Sequence, residues 1–87
     1  MQTNPPRRIR NGEVKSLTSH DGRICIAIVQ RPDGAFCCYE DWLSYEEEDD
    51  VYYWSVSSHP FQGLYGTIDE AEREIRSNPK FKDLVSS

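Results

Sequence analysis

The chain has 87 residues, of which 37% are hydrophobic and 29% charged, and its formal net charge is −5. This length predicts one small domain, and the acidic balance disfavours nucleic acid or an anionic membrane as a partner, because both attract basic surface. No apolar run approaches the roughly 20 residues that span a bilayer, and Met1 precedes polar residues rather than the apolar segment of a signal peptide. We therefore expect a cytoplasmic protein with no membrane contact.

Residues 1–12 have no hydrophobic periodicity and contain two prolines and three arginines. This composition predicts a disordered arm, followed by a single folded domain over residues 13–87. Arginine arms can enter the grooves of nucleic acids, so Arg7, Arg8 and Arg10 support an alternative function as a nucleic-acid-binding accessory module. A solvated tail is the simpler interpretation, since the chain as a whole is acidic.

The next predicted elements are three strands joined by tight turns. Residues 13–18 form a short strand, and the turn at residues 20–22 joins it to a strand over residues 23–30. Both faces of this second strand are apolar, with three isoleucines on one face and Cys25, Ala27 and Val29 on the other. This pattern predicts a central strand, covered by a helix on one side and by the arm or a partner on the other. A turn at residues 31–34 leads into a strand over residues 35–39.

Residues 40–50 carry seven carboxylates among eleven residues. The unbroken run at residues 46–50 predicts a solvated loop, and its contiguous carboxylates lack the alternate spacing of a calcium loop. Alternatively the segment docks a protein partner, because aromatic residues beside charge often anchor interfaces. The residues of this partner-binding hypothesis are Trp42, Tyr45, Glu46, Glu47, Glu48 and, from the following strand, Tyr53. For Trp42 and Tyr45, burial at the edge of the small core is the favoured alternative.

A strand and a helix complete the predicted fold. Alternation over residues 52–57 places an aromatic row inward, formed by Tyr52 and Trp54 together with Val56. Thr67 and Glu70 have the spacing of a capping box, in which the glutamate reaches back to the cap residue. The helix is expected to end at Ser77 or Asn78, because Pro79 disfavours a helical residue before it. The segment 79–85 could add one further turn, with Phe81, Leu84 and Val85 packed beneath it.

The three cysteines are odd in number, and two of them are adjacent. This usage favours free thiols over a bridge from Cys25 to Cys37 or Cys38. Zinc is disfavoured, because adjacent strand residues point to opposite faces and chelate poorly. Cys38 and His59 could approach across paired strands, but no catalytic signature surrounds them. We therefore predict no catalytic residue, no metal site and no cofactor.

Together these elements predict an α+β fold, in which an antiparallel sheet of three to four strands packs against one C-terminal amphipathic helix. The two-sided apolar strand and the many aromatic residues suggest that part of the sheet needs covering. We expect a non-enzymatic domain that acts by protein–protein interaction, with homodimerisation through the sheet as the first case. Nucleic-acid binding by the arm is the alternative.

Overall fold

The structure, a computed structural model, describes residues 5–61, 63–81 and 83–86, with the side chain of Ser86 excluded. An antiparallel sheet and one helix confirm the predicted α+β fold. The sheet has the strand order β4-β3-β2-β1-β5, so β2 is central as predicted. The elements in chain order are β1 (Glu13–Thr18), β2 (Ile24–Gln30), β3 (Phe36–Glu46), β4 (Val51–Val56), α1 (Ile68–Ser77) and β5 (Val85–Ser86).

The third strand is longer than predicted. It continues through Glu46, so only the last four residues of segment 40–50 form a turn. The carboxylates at positions 40 and 41 therefore belong to the sheet, where β3 pairs with β2 on one side and β4 on the other. The backbone of β3 therefore forms hydrogen bonds with both neighbouring strands, and the side chains of Glu40 and Asp41 point to opposite faces of the sheet.

The helix begins as its sequence predicts. Thr67 is the N-cap, and its hydroxyl accepts a hydrogen bond from the backbone N–H of Glu70 at 3.1 Å. The Glu70 carboxylate accepts from the N–H of Gly66 at 3.2 Å, one residue before the expected position. Asn78 ends the helix with an extended backbone ahead of Pro79, which confirms the predicted stop. No helix among the described residues has both the length and the apolar character needed to cross a membrane.

The main core lies between α1 and one face of the sheet. It is formed by Leu17, Ile26, Ile28, Cys38, Ala71, Ile75, Phe81 and Leu84, all of them buried. Phe81 and Leu84 pack beneath the C-terminal segment as predicted, whereas Val85 is 44% exposed because it lies in β5 at the sheet edge. We call this side of the sheet the helix face.

The opposite side of the sheet, which we call the arm face, has a smaller apolar cluster. Ala27, Val29 and Cys37 are buried there, with Tyr39 packed against them. The guanidinium of Arg10 lies over the Tyr39 ring, 4.2 Å from its centroid. The arm therefore covers part of this face, as the two-sided apolar character of β2 suggested.

Candidate interaction surface

The outer edge of β4 is the least protected part of the sheet. The strand reads V-Y-Y-W-S-V, with no charged residue, proline or glycine, and it pairs with β3 alone among the described strands. Its pairing with β3 has no register shift. Strand edges present unpaired backbone N–H and C=O groups, and natural proteins protect them with charges, prolines or bulges. This edge has none of these devices.

The opposite edge of the sheet is protected. β1 has a register irregularity between Glu13 and Lys15, where the chain bulges. Lys15 donates to Glu72 of the helix at 2.7 Å, which places an ion pair at this edge. β5 covers the end of β1 by pairing with Leu17 and Thr18. The contrast between the two edges distinguishes β4 as an available pairing surface.

The aromatic side chains of this region lie on both faces of the β3–β4 ribbon. The prediction of an inward aromatic row on β4 is wrong, because the pairing register puts Tyr52, Trp54 and Val56 on the arm face, opposite α1. Tyr52 and Val56 are 37% and 58% exposed. The helix packs against β2 and β3, and the described arm meets β4 near Trp54, so Tyr52 and Val56 remain partly uncovered.

Trp42 and Tyr53 lie on the helix face, beyond the end of the helical cover. They are 43% and 47% exposed, so the expectation that Trp42 is buried at a core edge is wrong. Between them the hydroxyls of Ser44 and Ser55 form a hydrogen bond of 2.6 Å across the two strands. These residues form a small amphipathic patch, of the kind in which Trp and Tyr anchor protein interfaces.

Tyr45 lies on the arm face and is 48% exposed, so its expected burial is also wrong. Its ring packs against Tyr52 with the centroids 5.1 Å apart. The Tyr45 hydroxyl donates to the carboxylate of Asp50, and this hydrogen bond raises the pKa of Tyr45. The predicted partner-binding aromatics thus surround one edge of the sheet and do not share a face.

Residues 47–50 form an exposed turn at one end of β4, and we call it the acidic turn. It contains the predicted Glu47 and Glu48, while Glu46 is half-buried as the last residue of β3. Asp50 closes the turn with a φ of 51°, a conformation that Asp tolerates better than most residues. Four carboxylates are thereby concentrated beside the free edge.

The arm crosses the other end of β4, and its path differs from the expected disorder. Residues 1–4 lie outside the described residues, but Pro5, Arg7 and Arg10 contact the sheet or the chain just beyond it. The indole N–H of Trp54 donates to the carbonyl of Pro5 at 2.7 Å, and Arg10 donates to the carbonyl of Ser57 at 2.9 Å. The described arm therefore runs beside the second half of β4.

A buried carboxylate explains this path. Asp41 is fully buried on the arm face, where Arg7 donates to it at 3.0 Å and Arg10 forms a second, shorter ion pair. Arg7 also pairs with Glu13. A buried carboxylate requires a partner of opposite charge, and here the arm supplies two of them. Sequence reasoning missed Asp41, although continuing the alternation of β3 would have put its side chain on the same face as Cys37 and Tyr39, which is the arm face.

The arm arginines differ in their availability. The side chains of Arg7 and Arg10 are only 11% and 19% exposed and face carboxylates. Arg8 is exposed, and among the described residues it has no ion pair. One uncompensated charge is a small footprint for phosphate binding, so this arrangement weighs against the nucleic-acid alternative.

The cysteines have the properties of core residues. All three are free and buried, as predicted for unpaired thiols. Burial raises the pKa of Cys38 to about 12 and also raises that of Cys25. His59 is exposed in the loop after β4. Among the described residues, no three His, Cys, Asp or Glu side chains are grouped closely enough to hold a metal ion.

Neither a protein-family model nor a curated protein or solved structure matches this chain.

Proposed function

We propose that this chain is a non-enzymatic protein-interaction domain that associates through the free edge of β4, and that its first partner is a second copy of itself. The observation that supports the proposal is an edge strand of six residues without charge, proline, glycine or bulge. Adding a strand to such an edge satisfies backbone groups on both partners and gives affinity without a preformed pocket.

The side chains around the edge suit an interface. Trp42, Tyr53 and Tyr45 are each close to half exposed, and aromatic residues dominate the energetics of many interfaces. A partner strand beside β4 would lie directly next to Tyr53, whereas Trp42 and Tyr45 lie one strand further in, on β3. Scattered exposed hydrophobic residues are normal on soluble proteins, but a cluster beside an unprotected strand is a typical association site.

A cytoplasmic setting is part of the proposal, and the three free thiols support it, because reduced cysteines persist in a reducing compartment. The raised pKa of the buried Cys38 thiol weighs against Cys38 as a nucleophile, because a nucleophilic cysteine requires a lowered pKa.

The proposal is tested by placing a charge on the edge. A Tyr53→Lys variant should remain folded, because the side chain is about half exposed, and should lose self-association, because an edge lysine opposes strand pairing. Light scattering and sedimentation at micromolar concentration should give about twice the chain mass of 10.1 kDa for the parent chain and the chain mass for the variant.

The matched control is Val14→Lys, which introduces the same side chain at an exposed position of β1 on the far side of the sheet. This variant should associate like the parent chain. A parent chain that is strictly monomeric would remove self-association, and equal loss in both variants would assign the effect to charge rather than to the β4 edge.

A further inference from the structure

We infer that two copies pair their β4 strands antiparallel, so that the acidic turn of each copy lies against Arg8 of the other. The inference rests on the proposed function and specifies its partner and geometry. It follows from the placement of opposite charges at the two ends of one free edge: residues 47–50 at the start of β4, and the arm beside Trp54 and Ser57 at its end.

Symmetry limits the arrangement. In an antiparallel pair with a two-fold axis perpendicular to the sheet, residues directly opposite each other share a face, so the axis lies midway between one residue and its own copy. If the axis lies at the middle of β4, that residue is Tyr53 or Trp54. Asp49 then lies opposite Ser57 or His59 of the second copy, at the end of β4 where Arg10 of the arm donates to the Ser57 carbonyl.

The charges on the arm determine which residue takes part. Arg7 and Arg10 are neutralised by Asp41 and Glu13, so Arg8 is the uncompensated cation of the described arm. The acidic turn has an excess of negative charge, since its four carboxylates are exposed and none forms an ion pair among the described residues. Because the axis generates the contact twice, each dimer would contain two such pairs.

A parallel pairing would have the opposite electrostatics. It would place the two acidic turns side by side at one end of the joined strands, and like charges at that separation repel. Each chain also has a net charge of −5, which opposes any association of two copies. Local complementarity is therefore needed to select an orientation, and the antiparallel one supplies it.

The experiment is a charge exchange between two variants of the full chain. In Arg8→Glu each homodimer would oppose two glutamates to the partner's acidic turns. In Asp49→Arg each homodimer would oppose the new arginines to Arg8 of the partner. Arg8→Glu alone should dimerise about tenfold more weakly than the parent chain, because its two ionic contacts become repulsive. Asp49→Arg alone should be weakened less, because three carboxylates remain in each acidic turn. An equal mixture should form a mixed dimer close to parental affinity, since both contacts are attractive there.

The controls are Arg73→Glu on the solvent side of α1 and Asp83→Arg near β5, which change the net charge equally at exposed positions away from β4. Sedimentation gives the affinities, and native mass spectrometry identifies the mixed dimer. A mixture as weak as its components, or an Arg8→Glu affinity equal to that of its control, overturns the antiparallel charge contact. If Tyr53→Lys still abolishes dimers in that case, the β4 interface stands and only its orientation is wrong.

Discussion

The substitution Asp41→Asn tests whether the arm is held by a buried charge. The side chain has no solvent exposure and accepts hydrogen bonds from Arg7 and Arg10. Removing one partner of a buried ion pair typically costs about 3–5 kcal/mol. Both arginines retain some exposure and other acceptors, at Glu13 and Ser57 respectively, so we expect a smaller loss of about 2–3 kcal/mol.

A loss of this size is easily measured. Domains are stable by roughly 5–15 kcal/mol, and for a chain of this length each kcal/mol shifts the midpoint of thermal unfolding by about 4–8 °C. Circular dichroism during heating and in urea should therefore show a midpoint lowered by roughly 10–20 °C for Asp41→Asn.

The control for this prediction is Asp33→Asn. Asp33 pairs with Arg31 at 3.3 Å, but both side chains are about half exposed, so the change should cost less than about 1 kcal/mol. If the two variants unfold at the same temperature, Asp41 is not a buried charge that depends on the arm.

The same reasoning predicts that deletion of residues 1–11 destabilises the domain, so that deletion cannot separate arm binding from folding.

Two further predictions concern the helix and the core. Hydrogen bonds from Lys15 and, to a smaller extent, from Arg76 lower the pKa of Glu72. The stability that they contribute is therefore complete above the unfolded pKa of about 4.3, and it is lost as the pH falls through the folded pKa. Glu72→Gln should therefore reduce the free energy of unfolding by about 1 kcal/mol at pH 7, and urea unfolding at pH 3 should find a smaller difference. Burial raises the pKa of Cys38 to about 12, so at pH 8 iodoacetamide should alkylate Cys38 of the folded chain far more slowly than free cysteine. In urea the alkylation should proceed at the ordinary rate, and mass spectrometry follows both reactions. Rapid labelling of Cys38 in the folded chain would contradict its buried environment.

The elements that could be predicted from sequence are those specified by neighbouring residues. The helix follows from the Thr67 cap, the apolar stripe and Pro79, which all act within one or two turns. The two tight turns follow from Gly22 and Gly34, whose φ values of 74° and 89° are readily adopted by glycine. The central position of β2 follows from its two apolar faces.

The features that sequence reasoning missed depend on contacts between distant residues. The length of β3 depends on pairing with β4, and the face of each β4 aromatic depends on that register. The exposure of Trp42 depends on which part of the sheet the ten-residue helix covers. Local periodicity contains none of this information, because a strand pattern gives the alternation of faces but not which of them is covered.

The arm connects the stability of the domain with the proposed association. By neutralising Asp41, Arg7 and Arg10 hold the backbone of residues 5–10 beside the end of β4. Arg8 therefore projects from a fixed segment rather than from a free tail, and a contact made by a preorganised group loses less conformational entropy. The same ion pairs occupy two of the three arginines that nucleic-acid binding would require. Docking of the arm thus weighs against nucleic-acid binding by these arginines.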